Sequence, residues 1–163
     1  MSNPVIDETY FDYVQINKGE SHNKATKGDL FFNGSSETPE EVGMCSILFN
    51  DIPNLYLNSF CFGLRLFKTA NENGLFLVYY FRSNEGRKHF RLLAQGATRY
   101  NLSKTQLLKM EIALPSVEEQ TRIATILSDM DKEIDALETK LAKTKQLKQG
   151  LMQQLLTGKI RLV

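Results

Sequence analysis

The C-terminal part of the chain carries a heptad repeat of aliphatic residues, and this feature constrains the fold more than any other. Counting from Ile123, aliphatic side chains recur at alternating spacings of four and three residues as far as Leu141. The repeat then passes through two polar positions, Thr144 and Lys148, before it resumes. This spacing is typical of a helix whose apolar stripe packs against another helix. The predicted seam consists of Ile123, Leu127, Met130, Ile134, Leu137, Leu141, Leu151 and Leu155.

The sequence predicts one continuous helix over about 116–157. Ser116 suits the N-cap position, and the acidic residues that follow it favour the positive end of the helix dipole. Gly158 is suited to ending the helix. About forty residues at a rise of about 1.5 Å make a rod of about 60 Å, which is too long to pack along its whole length against so small a domain. We therefore expect a partner helix, the alternative being an amphipathic helix that lies on its own domain.

The charges along this helix indicate how two copies would pair. In a parallel pair the basic half of the helix would face itself, whereas an antiparallel pair would set it against the acidic half. The sequence therefore predicts an antiparallel homodimer through residues 120–156 in the absence of a longer partner. The charged residues concerned are Asp129, Asp131, Glu133, Asp135 and Glu138 in the acidic half, and Lys140, Lys143, Lys145 and Lys148 in the basic half.

Composition changes abruptly at Leu114-Pro115. All 10 Phe and all 6 Tyr precede this point, and the 49 residues after it contain no aromatic side chain. Aromatic residues and glycine suit a compact domain with sheets and turns, whereas their absence suits a long surface helix. We predict an α+β domain over 1–114 and a helix with a short tail over 115–163.

Hydrophobic patterning gives the elements expected in the first part. Turn-forming residues separate short apolar runs, and Asn84-Glu85-Gly86 is expected to form a non-helical break between two helices. The predicted helices cover Gly74–Arg82 and Arg87–Gln95. The predicted strands cover Asp29–Phe32, Ser46–Phe49, Ser59–Phe67 and Met110–Leu114.

Charge is segregated although the net charge is only +1. Residues 1–41 hold three basic and eight acidic side chains, and residues 65–99 hold seven basic and two acidic ones. Within 75–100 the cations are interleaved with aromatic residues, which predicts a nucleic-acid-binding face. The alternative is a pair of amphipathic helices with solvated cations. Expected phosphate contacts are Arg65, Arg82, Arg87, Lys88, Arg91 and Arg99, and expected base-edge contacts are Asn33, Ser35, Ser36 and Thr38.

Motifs of catalysis and metal binding are missing from the sequence. It contains neither a phosphate-binding glycine loop nor a GxSxG or HExxH motif, and its two histidines have no zinc-ligand partners at a suitable spacing. Cys45 and Cys61 lie in apolar runs and are predicted to be buried free thiols. No signal peptide or membrane span is recognisable. We therefore expect a cytoplasmic protein without a metal site. These absences do not exclude a hydrolase, but nothing in the sequence supports one.

Four segments resemble one known family. LPSVEEQTRIATILSDMD at 114–131 and LMQQLLTGKIRL at 151–162 resemble the C-terminal helix and tail of type I restriction-modification specificity subunits. GDLFFNGSSETPEEVG at 28–43 and GATRYNLSKTQL at 96–107 resemble that family's target recognition domain. Together these segments span nearly the whole chain.

The resemblance implies a DNA-reading role without catalysis or a cofactor. A specificity subunit has two target recognition domains, each reading half of a bipartite site in double-stranded DNA, and two long helices that pair antiparallel. Methyltransferase subunits dock on it and supply the S-adenosylmethionine chemistry, and through them the restriction subunit joins. This chain has one domain and one helix, and its start looks truncated. We expect a half-subunit or a fragment, the alternative being a coiled-coil assembly protein without DNA recognition or a silent recombination cassette.

Overall fold

The computed structural model describes residues 3–6, 11–67, 72–96 and 98–162. The chain divides into two compact units, a first unit that ends at Ala124 and a second unit that begins at Thr125. In chain order the elements are β1 (Val5–Ile6), β2 (Leu30–Asn33), β3 (Ser35–Ser36), β4 (Cys45–Leu48), β5 (Cys61–Leu64), α1 (Gly74–Arg82), α2 (Asn84–Leu93), β6 (Ala94–Gln95), β7 (Tyr100–Leu102), α3 (Lys104–Leu107) and α4 (Val117–Leu156). This is the mixed α+β architecture with a long C-terminal helix that the sequence predicts.

Two small sheets organise the first unit. The first has the strand order β1-β4-β2-β5, with β2 antiparallel to both of its neighbours and β1 parallel to β4. The second has the order β3-β7-β6 and is antiparallel. Because Gly34 alone separates β2 from β3, the chain passes directly from the first sheet into the second at this point. We call this point the sheet corner.

The core lies where α1 and α2 cover one face of the first sheet. The ring of Phe32 is fully buried, with its centroid 5.4 Å from that of Phe62, 5.6 Å from Phe81 and 5.9 Å from Phe90. Phe31 points to the opposite face, as strand alternation requires, and packs there in a smaller cluster. Aromatic packing of this kind contributes both apolar burial and favourable ring geometry.

Helix α1 has the bounds that the sequence predicts. Its N-cap is Asn73, whose Oδ1 accepts a hydrogen bond from the amide of Phe76 at 3.0 Å. Its C-cap is Ser83, the amide of which donates to the carbonyl groups of Tyr79 and Tyr80. The capping residues therefore fix both ends of α1.

The predicted start of α2 is wrong. Asn84-Glu85-Gly86 forms the first turn of this helix instead of breaking the chain, because Ser83 caps it and accepts a hydrogen bond from the amide of Gly86 at 3.3 Å. A side chain at Gly86 would place its Cβ 2.2 Å from the carbonyl oxygen of Tyr80. Glycine here allows α2 to turn tightly against α1, so its role is close approach and not helix termination.

Other strand predictions hold in part. The runs predicted at Asp29–Phe32 and Ser46–Phe49 are found one residue away, and only Cys61–Leu64 of the long run at 59–67 forms a strand. The strand predicted at Met110–Leu114 is wrong, since this segment is irregular. Its alternating apolar side chains pack against the core, but none of the strands in the described residues pairs with its backbone. Alternation records which side chains are buried and leaves strand pairing undetermined.

Helix α4 comprises 40 residues and confirms the predicted long helix. The Oγ of Ser116 accepts a hydrogen bond from the amide of Glu119 at 3.3 Å, and Gly158 follows the helix with a φ of +72°. The first turns of α4 are part of the first unit, since Gln120 and Ala124 are each 2% exposed. The first unit therefore extends past the predicted boundary at Leu114. Among the described helices, none is both long and apolar enough to cross a membrane.

Candidate nucleic-acid interface

The sheet corner brings three segments of the chain together. The amide of Gly34 donates to the carbonyl of Phe60 at 2.8 Å, and the carbonyl of Gly34 accepts from the amide of Leu102 at 3.0 Å. A Cβ at Gly34 would lie 2.9 Å from the carbonyl oxygen of Phe60, so only glycine allows this approach. The corner thereby fixes the turn before β5 and strand β7 next to β3.

An exposed aromatic ring projects from this corner. The ring belongs to Phe60, which is 57% exposed. Asn58 Oδ1 accepts hydrogen bonds from the amides of Phe60 and Cys61, both at 3.0 Å, so the backbone that carries the ring is fixed by a side-chain turn. The ring is therefore displayed from a rigid turn.

A cation and a hydroxyl lie beside this ring. The guanidinium carbon of Arg99 lies 5.4 Å from the ring centroid of Phe60, and Arg99 Nε donates to Ser35 Oγ at 3.0 Å. We call Ser35, Phe60 and Arg99 the corner cluster. Lys104 approaches the neighbouring aromatic residue, with its Nζ 5.6 Å from the ring centroid of Phe62. The corner thus presents positive charge, a hydroxyl and an apolar ring together.

The loop after the corner uses its polar groups internally. Ser36 is 6% exposed, and its Oγ donates to Glu41 Oε2 at 2.8 Å and accepts from the amide of Thr38 at 3.5 Å. Asn33 Nδ2 donates to the carbonyl of Glu41 at 3.4 Å. The predicted base contact of Ser36 is therefore not supported, because its hydroxyl holds the loop in shape. Ser35, on the other hand, is part of the corner cluster.

Arg87 lies in the interior and not on the surface. It is only 6% exposed, and its Nη2 donates hydrogen bonds to the carbonyl of Glu40 at 2.8 Å and to the carbonyl of Val42. The guanidinium carbon lies 5.0 Å from the ring centroid of Phe90. Burial lowers the pKa of Arg87, as do the neighbouring cations Arg91 and Arg82. Arg87 braces the loop against α2, which corrects its predicted role as a phosphate contact.

Two more predicted phosphate contacts have partners within the chain. Arg65 donates from Nε and Nη2 to the two carboxylate oxygens of Asp29 at 2.6 and 2.7 Å. Burial acts to raise the pKa of Asp29, but the hydrogen bonds from Arg65 and Thr26 outweigh it, and the pKa lies below its ordinary value. Arg82 Nη1 donates to the carbonyl of Cys45 at 2.9 Å. These guanidinium groups stabilise the fold, and less of their charge is available to DNA.

The remaining predicted cations face solvent on α2. Lys88 and Arg91 are exposed, and Lys88 Nζ lies 2.6 Å from Glu85 Oε1 in a surface ion pair. Neither residue takes part in the corner cluster. Lys68, part of the basic stretch, lies outside the described residues. The structure therefore divides the predicted cations into three groups. Lys88 and Arg91 are exposed on α2, Arg65, Arg82 and Arg87 are hydrogen-bonded to other segments of the first unit, and Arg99 belongs to the corner cluster.

Sequence reasoning did not single out Phe60, Asn58 or Lys104. Phe60 was assigned to the interior of a predicted strand, although the strand begins one residue later. The signal that could have revealed its exposure is the sequence Asn58-Ser59 immediately before it, since Asn followed by a small polar residue favours a turn.

Comparison with known proteins decides the family. The model of the type I restriction modification DNA specificity domain matches residues 4–149, which cover nearly all of the first unit and more than half of the second. The chain belongs to this family. The resemblance seen in the sequence is thereby confirmed.

Two specificity subunits from Methanocaldococcus jannaschii are similar to this specificity-domain chain. The protein named "Putative type I restriction enzyme MjaX specificity subunit" is 30% identical over an alignment of 164 positions, which covers 96% of this chain and 37% of that protein. The type I restriction enzyme MjaVIII specificity subunit is 31% identical over 99 residues, which cover 61% of this chain and 23% of that protein. The chain thus spans little more than a third of the length of the first of these relatives.

Proposed function

We propose that this chain is a non-catalytic DNA-recognition component of a type I restriction-modification enzyme and reads one half of a bipartite DNA site. The observation that carries the proposal is the family match over residues 4–149, which includes the corner cluster. A rigid corner that presents a ring, a cation and a hydroxyl has the groups that contact bases and phosphates in DNA grooves. The cytoplasm is the compartment that goes with this function.

We assign fewer residues to DNA contacts than the sequence alone suggests. The exposed cations Lys88 and Arg91 are proposed to bind phosphates, and Thr38 and Asn33 remain proposed contacts to base edges, whereas the Ser35 hydroxyl accepts a hydrogen bond from Arg99. Arg65, Arg82 and Arg87 support the fold from within the chain. Phosphate contacts position a protein on DNA, whereas base contacts determine sequence, so the two groups should have separable effects.

Fluorescence anisotropy with labelled duplex DNA tests this proposal. We expect the logarithm of the binding constant to fall linearly with the logarithm of the salt concentration, by about 0.9 for each phosphate contact. Lys88→Gln together with Arg91→Gln should weaken binding to all duplexes and make this slope shallower by about 1.8, the amount expected for two lost contacts. The matched control is Lys24→Gln with Lys27→Gln, which removes two exposed cations from the acidic segment. Binding without salt dependence, or no binding, would instead favour the assembly protein.

We propose that the second unit pairs with another helix in an antiparallel coiled coil. Its apolar stripe is open to solvent in the single chain, where Ile134 is 50%, Leu137 58% and Leu141 53% exposed. Ile123, the first residue of the predicted seam, is partly buried against the core of the first unit. The proposed seam therefore begins one turn later, at Leu127, continues through Met130 and includes Leu151 and Leu155.

When a full-length specificity subunit is absent, the partner of this stripe is a second copy of the chain. Burying large aliphatic side chains stabilises such a pair by roughly 1.5–3 kcal/mol each. We propose that methyltransferase subunits dock on the paired helices and that the restriction subunit joins through them. Co-purification of the chain with a cognate methyltransferase subunit tests this part, and the isolated first unit should not support it.

A further inference from the structure

Arg99 is the member of the corner cluster whose environment matches base reading better than phosphate binding. The residue is exposed, and its position is set by two contacts made by one guanidinium, with Ser35 Oγ at 3.0 Å and the Phe60 ring at 5.4 Å. Its backbone is also held, since Asn101 Nδ2 donates to the carbonyl of Arg99 at 3.2 Å. By contrast, Arg87, equally rich in hydrogen-bond donors, is turned inward.

The contacts that fix Arg99 leave its terminal nitrogens available. Only Nε is used by Ser35, and within the described part of the chain no hydrogen bond is found for Nη1 or Nη2. These two nitrogens form the end of a planar fork with two parallel N–H donors. The O6 and N7 atoms of guanine in the major groove present two acceptors at a matching spacing.

A guanidinium that is already oriented before DNA binds is more useful for a base contact than for a phosphate contact. A phosphate accepts hydrogen bonds from many directions, so a mobile cation serves it well. A bidentate contact to a base needs one guanidinium orientation, and the entropy lost in fixing a long side chain counts against binding. The Phe60 ring and Ser35 hydroxyl supply that orientation before DNA binds, and the Asn58 turn holds the ring itself.

We propose that Arg99 is a specificity-determining residue that binds the O6 and N7 atoms of a guanine in the major groove of duplex DNA. Ser35 and Phe60 are positioning residues that orient its guanidinium. This assignment rests on the proposed DNA-reading function and replaces the phosphate contact that the sequence suggests for Arg99.

Selection from a pool of duplexes with a randomised central segment tests the assignment with the full chain. Bound duplexes are sequenced for the wild type, Arg99→Gln and Arg91→Gln. We expect the wild-type motif to contain a guanine whose preference disappears in Arg99→Gln. Arg91→Gln, an exposed-cation control, should lower affinity for all duplexes and keep the same motif.

A modified base gives a second readout at that position. 7-Deazaguanine has a carbon in place of N7 and so lacks one of the two acceptors. It should weaken wild-type binding by about tenfold and leave Arg99→Gln binding nearly unchanged. Phe60→Leu and Ser35→Ala should reduce discrimination at the same guanine while preserving the salt dependence, because they remove no charge.

The outcomes separate this assignment from the proposed function. An identical motif for the wild type and Arg99→Gln would overturn the assignment and leave DNA reading in place. A wild-type chain that selects no motif and binds without salt dependence would overturn both.

Discussion

Replacing the buried Arg87 with Met should destabilise the first unit. The change removes the charge-assisted hydrogen bonds to the carbonyl groups of Glu40 and Val42, and each such bond contributes about 1.5–3 kcal/mol. It also removes the guanidinium contact with Phe90, which contributes about 0.5–2 kcal/mol. Part of this loss is recovered, because Arg87 Nε and Nη1 are buried without a hydrogen-bond partner among the described residues, and Met has no such polar groups to bury. The net loss should be about 2–4 kcal/mol.

Tyrosine fluorescence is a suitable assay for this prediction. All 6 tyrosines precede Leu114 and the chain has no Trp, so the tyrosine signal follows the first unit and not the long helix. A loss of this size should lower the Tm of that signal by roughly 10 °C. Lys88→Met, at the exposed neighbour, is the matched control and should leave the Tm unchanged while weakening DNA binding. An unchanged Tm in Arg87→Met together with weaker, less salt-dependent DNA binding would refute the bracing role.

Three further changes probe other parts of the chain. Ile134→Asp places a charge in the exposed apolar stripe and should convert the proposed dimer to a monomer in sedimentation, and a lowered tyrosine Tm would contradict the assignment of Ile134 to the second unit alone. Gly86→Ala should destabilise the first unit by about 1–3 kcal/mol in urea unfolding, because its Cβ meets backbone atoms, whereas Gly150→Ala, with open space, should stabilise α4 by up to about 1 kcal/mol. Asp29→Asn should abolish the part of the stability that the wild type loses as the pH decreases: the carboxyl has a lowered pKa in the fold, so its contribution is fully present above its unfolded-state pKa of about 4 and is lost progressively below that pH. Wild-type pH dependence in Asp29→Asn, measured by urea unfolding at pH 3 and pH 5, would contradict this.

Local signals determined the elements that sequence reasoning placed correctly. The two ends of α1 depend on neighbouring capping residues, and α4 depends on a repeat that continues over many turns. The capping residues and the repeat can both be recognised from residues that are close together in the sequence. The start of α2 depends on whether a glycine meets another helix, which the neighbouring residues of the chain do not reveal.

Surface contact residues were harder to predict because exposure depends on the whole fold. Arg87 and Arg91 look alike in sequence, but only Arg87 is buried. A usable signal existed, since Arg87 precedes Phe90 by three residues and therefore lies on the helix face that enters the core. The same holds for Ser36, which the sequence suggests as a DNA contact, because its hydroxyl donates a hydrogen bond to Glu41 in the fold. The corner cluster joins residues from three separate segments, and no spacing rule connects them.

The methylation pattern produced when this chain is co-expressed with a cognate methyltransferase subunit shows directly whether two copies pair and read DNA. Two identical copies paired antiparallel would present two identical recognition units related by a two-fold axis. We therefore predict methylation at a bipartite motif whose two halves are inverted repeats of one another, separated by a fixed spacer. Ile134→Asp should abolish this methylation. A motif with two unrelated halves, or no sequence-specific methylation above that of the methyltransferase alone, would contradict the proposal that two copies pair and read DNA.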